Sequence, residues 1–157
     1  MNAIDISKWQ WDRVTVPPRT PDFDLLATKA DIVICKCGQG DFEDYAFADY
    51  MRELKARGVY RGSYWFYDNR VDAKRQAQNY SKFLRLHGPE HELPCFIDYE
   101  VDHPTAAPSR LQDVYDFIAE FQRLEPDRTI GIYTGYYFWT ASAQYSHMTA
   151  AGLQWFA

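Results

Sequence analysis

Two carboxylic acids stand one residue apart at the end of the apolar segment LPCFIDYE, residues 93–100. Side chains alternate on a β-strand, so these acids, Asp98 and Glu100, are expected to share one face with Phe96. Two close carboxylates repel each other, and one of them therefore keeps its proton to a higher pH. This acid pair suits cleavage of a glycosidic bond, in which the protonated group donates to the leaving oxygen and the ionised group supports positive charge on the sugar.

Short apolar segments alternate with helical patterns along the chain. Strands are predicted over residues 3–6, 31–37, 61–67, 93–100, 129–134 and 153–157, and helices over residues 43–57 and 72–87 and after residue 109. Asp72 is the expected cap of the second helix, Ser109 and Gln112 form the expected capping box of the third, and Pro126 closes it. Strand and helix in repeated alternation predict a parallel sheet with helical crossovers.

The parallel sheet could be a barrel or an open doubly wound sheet. A nucleotide-binding open sheet would carry a glycine-rich turn after its first strand, and that turn here reads SKWQWDR. Gly38 and Gly40 follow the second strand, but the lysine and hydroxyl residue of a phosphate-binding loop are missing. We therefore predict an α/β fold of the parallel barrel type, similar to a TIM barrel, formed by residues 1–157 as one domain.

Several predicted strands deliver polar or aromatic side chains to the same rim. In a parallel barrel, functional sites gather where the strands end at their C-terminal side. Asp5 ends the first strand, Tyr64 and Phe66 the third, and Tyr133 the fifth. Taken alone, the acid pair could be two solvated acids at the start of a loop, but its convergence with Asp5 favours a functional site.

The composition excludes several classes of protein. A hydrophobic content of 46% excludes a disordered chain, and a net charge of −5 argues against nucleic acid as a partner. No apolar segment is long enough to span a membrane, and the start of the chain lacks the layout of a signal peptide. Cys35, Cys37 and Cys95 are expected to be buried free thiols. His87 and His91 are expected in a loop, and no zinc motif is complete.

Five segments, taken in order, resemble the glycoside hydrolase family 25 lysozymes, which are muramidases of phage and bacterial cell-wall lysins. IDISKWQ is similar to the Asp-x-Ser-x-Trp-Gln motif that opens that family, and LPCFIDYE resembles its Asp-x-Glu strand. The other three are similar to its second, third and fifth strands; they are DIVICKCGQG, ARGVYRGSYWFY and TIGIYTGYYFW. The resemblance covers nearly the whole chain.

The resemblance implies an irregular α/β barrel that cuts the β-1,4 bond between N-acetylmuramic acid and N-acetylglucosamine in bacterial peptidoglycan. Carried over by position, Glu100 is the general acid, and Asp98 orients the acetamido group of the substrate or stabilises charge. Asp5 belongs to the same acidic cluster, and Tyr64 and Tyr133 resemble residues of the substrate cleft. The family implies neither a metal nor an organic cofactor.

Aromatic side chains near predicted strand ends are expected to bind the faces of sugar rings. The candidates are Trp9, Tyr64, Phe66, Tyr133, Tyr137 and Trp139. We expect two or three of Trp9, Tyr64, Tyr133, Tyr137 and Trp139 to line a groove and the others of these five to be part of the core.

Three features depart from the family pattern. Gln39 stands where the family has Glu, which removes one charge near the rim, and Gly38 precedes it where the family has Thr. Trp65 replaces a residue of an aromatic cluster that often includes His, and we expect it to be core. The sequence stops at Ala157, and the family continues with further strands. We therefore expect a barrel that is truncated at its C-terminal end, and either an oligomer or a longer natural chain.

Three other functions compete with the muramidase interpretation. The domain could bind cell walls without turnover, it could be a structural component of a phage particle or injection machine, or it could be an unrelated barrel enzyme for phosphorylated substrates. Without a signal peptide, a muramidase would reach the cell wall from the host cytoplasm by phage-type release or by another export route. Peptidoglycan is the expected partner, with no nucleic acid and no membrane.

Overall fold

The computed structural model describes residues 1–11, 19–100, 102–135, 138 and 155–156. These residues form seven strands: β1 Ala3–Ile6, β2 Ile32–Gln39, β3 Phe42–Glu43, β4 Tyr60–Phe66, β5 Cys95–Asp98, β6 Ile130–Tyr133 and β7 Trp155–Phe156. They also form four α-helices, namely α1 Phe23–Lys29, α2 Phe47–Ala56, α3 Ala73–His87 and α4 Leu111–Leu124. A short 3-10 helix, Lys8–Gln10, follows β1.

Six of the strands form one parallel sheet in the order β1-β2-β4-β5-β6-β7, and β3 pairs antiparallel with β2. A helix lies between successive parallel strands as far as β6. This architecture confirms the predicted α/β fold of the barrel type. Because all six strands run the same way, their C-terminal ends lie along one edge of the sheet.

On one face of the sheet, the strand side chains pack against the helices. Ile97 and Val33 are fully buried, and so are Cys35, Cys37 and Cys95, which are free thiols as predicted. No helix among the described residues is long and apolar enough to cross a membrane.

Trp65 is a core residue, as expected, and it explains a second departure from the family pattern. Its ring stacks on Phe83 with 6.2 Å between the centroids, and its indole N–H donates to Gln76 at 3.3 Å. A Cβ atom on Gly38 would lie 2.4 Å from this indole ring. Glycine at position 38 therefore makes room for tryptophan at position 65, and the two departures form one packing unit.

The helix boundaries confirm one predicted cap and correct another. The carboxylate of Asp72 accepts the N–H of Arg75 at 2.9 Å at the start of α3, as predicted. The predicted Ser109–Gln112 capping box of α4 is wrong. The backbone N–H of Arg110 donates to the Asp113 carboxylate at 2.7 Å, and Ser109 donates instead to Asp102. The backbone N–H and the hydroxyl of Ser109 both donate to the Asp102 carboxylate, because the loop before the helix folds back on itself, so Ser109 does not cap α4.

Three further features of the structure differ from the prediction or were not predicted. His87 is the last residue of α3 rather than a loop residue, because Gly88 ends the helix only after it. The short helix α1 escaped prediction because it buries only Phe23. The β2–β3 hairpin turns at Gly40, whose φ of 57° lies in the left-handed region that glycine adopts without strain.

Candidate active site

A groove of about 620 Å³ runs along the C-terminal ends of the parallel strands. Every predicted site residue that the structure describes lines it: Asp5, Trp9, Tyr64, Phe66, Asp98, Glu100 and Tyr133. Trp139 and Tyr137, the other two predicted aromatic residues, lie outside the described residues. The predicted convergence of strand ends is therefore observed for all the residues that can be compared.

Strand register brings these side chains side by side. Phe66 pairs with Asp98, and Asp98 pairs in turn with Tyr133, so three neighbouring strands each place one side chain at the same level. One step below, Tyr64 pairs with Phe96. These residues alternate with buried side chains that face the helices, as the period of a β-strand requires.

Asp98 lies at the floor of the groove, with 8% of its surface exposed. Its Oδ1 atom is buried and accepts no hydrogen bond from the described residues. Burial, and then the negative charges of Glu100 and Asp5, raise the pKa of Asp98 to about 7, against the opposing effect of Lys36. A carboxyl group that titrates near neutral pH and has a free acceptor atom is suited to proton chemistry or to binding a donor on a substrate.

Glu100 lies two residues beyond the end of β5, and its half-buried side chain lines the groove. The backbone before it is held by the neighbouring strands. The N–H of Tyr99 donates to the carbonyl of Tyr133 at 2.8 Å, and the N–H of Tyr67 donates to the carbonyl of Asp98 at 2.9 Å. The sheet therefore holds the backbone of Asp98 and Tyr99, and Glu100 lies just past the end of β5.

Two tyrosines and a third acid complete the polar lining. Asp5 is exposed at the end of β1. Burial and the charge of Asp5 raise the pKa of Tyr64 far above its ordinary range. The charge of Glu100 and burial raise the pKa of Tyr133. Both phenols are therefore protonated at neutral pH and can donate hydrogen bonds to substrate oxygens.

Trp9 forms an exposed aromatic wall of the groove, with 78% of its surface accessible. It sits on the short helix after β1, which is closed by reciprocal bonds: the N–H of Ser7 donates to Gln10 at 2.7 Å, and Ser7 Oγ accepts the N–H of Trp9 at 3.4 Å. The buried Tyr50 hydroxyl donates to the Ser7 carbonyl at 3.0 Å. These bonds fix the turn, and the Lys8 ammonium lies over the Trp9 ring, 5.2 Å from its centroid.

The groove contains one functional candidate that sequence reasoning did not select. Lys36 lines the groove from β2, and it is 8% exposed. The visible indication was a lysine inside the apolar strand DIVICKC, since charged residues are seldom fully buried without a purpose. Gln39 lies beside it and accepts a hydrogen bond from the Lys36 ammonium at 3.0 Å.

Metal-ligand geometry does not occur in the part of the chain that the structure describes. No group of three or more His, Cys, Asp or Glu side chains there is placed to hold a metal ion.

Comparison with known proteins gives a family and a set of similar folds. The sequence profile of glycosyl hydrolases family 25 matches residues 4–157. The fold is similar to a muramidase from Acremonium alcalophilum, with a TM-score of 0.73 and 23% identity over 98% of this chain and 74% of that chain. It is also similar to a bacterial lysozyme from Streptomyces coelicolor, with a TM-score of 0.70 and 21% identity over 98% of this chain and 71% of that chain.

A third similar structure is the modular autolysin LytC from Streptococcus pneumoniae, with a TM-score of 0.68 and 19% identity. The match covers 88% of this chain and 33% of LytC, so this chain spans about a third of the length of that relative. No curated protein matches the sequence.

Proposed function

We infer the activity of this chain from one premise, which is that it belongs to glycosyl hydrolases family 25. We propose that it is a peptidoglycan hydrolase of the lysozyme type, an N-acetylmuramidase, and that it acts on the bacterial cell wall as one catalytic domain. The observation that carries this proposal is the acid pair at the floor of an aromatic-lined groove.

In the proposed reaction, Glu100 donates a proton to the leaving glycosidic oxygen. Its side chain lines the groove, and its carboxyl oxygens accept no hydrogen bond from the described residues, so they are available to a substrate. Asp98 accepts the acetamido N–H of the substrate through its free Oδ1 atom, or stabilises the positive charge that develops on the sugar. Asp5 adds negative potential at the same rim.

The aromatic residues supply the binding surface for the polysaccharide. Trp9 is open to the groove, and Tyr64, Phe66 and Tyr133 line its other side. Sugar rings present apolar C–H faces that pack on aromatic rings, and their hydroxyl groups bind to phenol and carboxylate groups. The groove therefore combines flat apolar surface with a few polar groups, which is the usual composition of a ligand site.

Wall lysis is expected to fall as the pH rises above about 7. The proposed chemistry needs one proton on the acid pair, and the raised pKa of Asp98 keeps that proton on the pair up to about pH 7. At higher pH Asp98 is ionised and that proton is lost, so kcat/KM should drop about tenfold per pH unit. Initial rates at constant ionic strength from mildly acidic to alkaline pH measure this limb. A rate that stays constant well above pH 8 would contradict the assignment.

Binding of a sugar oligomer is expected to quench the fluorescence of Trp9. Trp9 is the exposed tryptophan among the described residues that line the groove. Trp65 is buried, and Trp11 packs against Phe23 with 5.6 Å between ring centroids. Titration with chitooligosaccharide should give a saturable change that Trp9→Phe abolishes and Trp11→Phe retains. An unchanged signal in Trp9→Phe would place the sugar elsewhere.

The deciding experiment identifies the bond that is cut. Purified peptidoglycan is digested with the chain, the products are reduced with borohydride, and the reduced amino sugars are analysed after hydrolysis. A muramidase exposes reducing ends on muramic acid, so borohydride yields reduced muramic acid, whereas a glucosaminidase would expose reducing ends on glucosamine and yield reduced glucosamine. Wall sedimentation in parallel tests binding, and binding without new reducing ends would support a wall-binding domain instead of an enzyme.

A further inference from the structure

A single cation lies in the floor of the acidic groove. Lys36 is the one positively charged side chain among the described residues that line it, and three acids line the same groove. Only 8% of the lysine is exposed, and burial lowers its pKa. Placing an ammonium group there costs free energy unless nearby groups compensate, so its surroundings indicate what it does.

The direct contacts of the Lys36 ammonium are neutral groups. It donates to Gln39 Oε1 at 3.0 Å, and it lies over the ring of Phe66, 4.5 Å from the centroid. It forms no ion pair with any residue that the structure describes. The amide oxygen and the aromatic face hold the ammonium in place without cancelling its charge, so its positive potential extends into the groove.

Two carboxylates lie close enough to act on Lys36, and only one of them lacks hydrogen bonds of its own. Asp44 and Asp98 both favour the charged lysine, while Lys8 opposes it. Asp44 is already engaged, because its oxygens accept the backbone N–H groups of Lys8 and Ala46, each at 3.0 Å. Oδ1 of Asp98 accepts none among the described residues. Asp98 is therefore the acid that depends on this cation.

Among the described residues, the other charges that act appreciably on Asp98 are negative. Asp5 faces it from β1, and Glu100 follows it on its own segment. The groups from β4 and β6 are the phenols of Tyr64 and Tyr133, which are neutral. Lys36 on β2 is the one charge that favours an ionised Asp98.

We propose that Lys36 is a positioning residue for the acid pair: Gln39 and Phe66 hold its ammonium where it stabilises the ionised form of Asp98 without pairing with it directly. A direct ion pair would lower the pKa of Asp98 further, and loss of the cation would raise it. An ammonium that is bound to the neutral amide of Gln39 gives Asp98 a pKa between these two cases. The effect of Lys36 on catalysis rests on the proposed muramidase activity, whereas its effect on the charge state of Asp98 does not.

The test is a direct titration of the Asp98 carboxyl group by carbon-13 NMR of the full chain, with Asp98→Asn used to identify its resonance. In Lys36→Met the titration midpoint of Asp98 is expected to rise by about one pH unit. Lys36→Arg keeps the positive charge, so its midpoint should lie close to that of the parent chain. Gln39→Glu should raise the midpoint in the same direction, because the new carboxylate pairs with Lys36 and cancels its potential. Lys29→Met, at the exposed end of α1, is the matched control and should have no effect.

The same variants are then compared for the alkaline limb of kcat/KM, which should move with the NMR midpoint. An Asp98 midpoint that is the same in Lys36→Met and in Lys29→Met would overturn the proposal, and so would a midpoint that falls. If Lys36→Met does not fold, Gln39→Glu decides by the same criterion. Since the NMR titration needs no turnover, a chain that fails to cut peptidoglycan would overturn the proposed function and leave this inference to be judged on its own.

Discussion

Replacing Glu100 with Gln is expected to reduce wall lysis by about 10²–10⁴-fold, the usual contribution of general acid catalysis. The amide keeps the shape and the hydrogen-bonding capacity of the side chain but cannot donate a proton to the leaving oxygen. Since the carboxyl oxygens of Glu100 accept no hydrogen bond from the described residues, the free energy of unfolding should change little. Turbidity loss of purified walls gives the rate, and thermal unfolding gives the stability.

Glu90→Gln is the matched control for this substitution. It makes the same chemical change in an exposed side chain, which pairs with Lys55 at 2.6 Å before β5 begins. Its lysis rate should equal that of the parent chain. A Glu100→Gln variant that lyses walls within a few-fold of the parent would remove Glu100 from the role of general acid.

The second large effect is expected for Asp98→Asn, and it has opposite signs for activity and stability. Lysis should fall severely, because the substitution removes the carboxyl group that orients the acetamido group or stabilises the positive charge on the sugar in the proposed reaction. The folded protein should become more stable at alkaline pH, because the buried carboxylate that burial and Glu100 disfavour is replaced by a neutral amide. A residue that costs stability and supports activity is the signature of a functional site.

The pH dependence of this stabilisation follows from the direction of the shift. The pKa of Asp98 is raised from 3.8 to about 7 in the folded protein, so between these values the folded state binds the proton that the unfolded state has released. Stability therefore falls as the pH rises through this window, by roughly 4 kcal/mol in total at about 1.4 kcal/mol per pK unit. Asp98→Asn should recover most of this at pH 8 and almost none at pH 4.

Unfolding by urea at the two pH values measures the difference. Asp5→Asn serves as the control, because Asp5 is exposed and its neutralisation should change the stability by less than about 0.5 kcal/mol. Equal stability of the parent chain and Asp98→Asn at pH 8 would mean that the buried carboxylate is compensated in the fold. Mild loss of lysis in Asp98→Asn would transfer the charge-stabilising role to Asp5.

Local pattern was enough to predict the outline of the site. The alternation of side chains placed Asp98 and Phe96 on one face and Ile97 on the other, and the repeated strand–helix order implied parallel strands whose ends meet. Both inferences use properties of neighbouring residues only, so they can be made without knowledge of the tertiary structure. The chemical roles of Glu100 and Asp98 stay predictions until the variants are measured.

Long-range packing decided the features that pattern missed. Strict alternation would place Lys36 and Gln39 on opposite faces of β2, but the register shifts between Lys36 and Gly38, and this bulge brings the two side chains into contact. The space that Trp65 occupies explains the glycine at position 38. Neither relation can be read from one strand, because each depends on the neighbouring strand.

The sequence by itself determined which residues could carry protons and which strands would deliver them to a common edge, because residue type and periodicity are local properties. The tertiary structure decided the charge state of the pair. Burial of Asp98 comes from the strands on both sides of it, and the balance between Glu100, Asp5 and Lys36 comes from three separate segments of the chain. A pKa depends on solvent exclusion and on distances between charges, and both exist only once these segments are packed together.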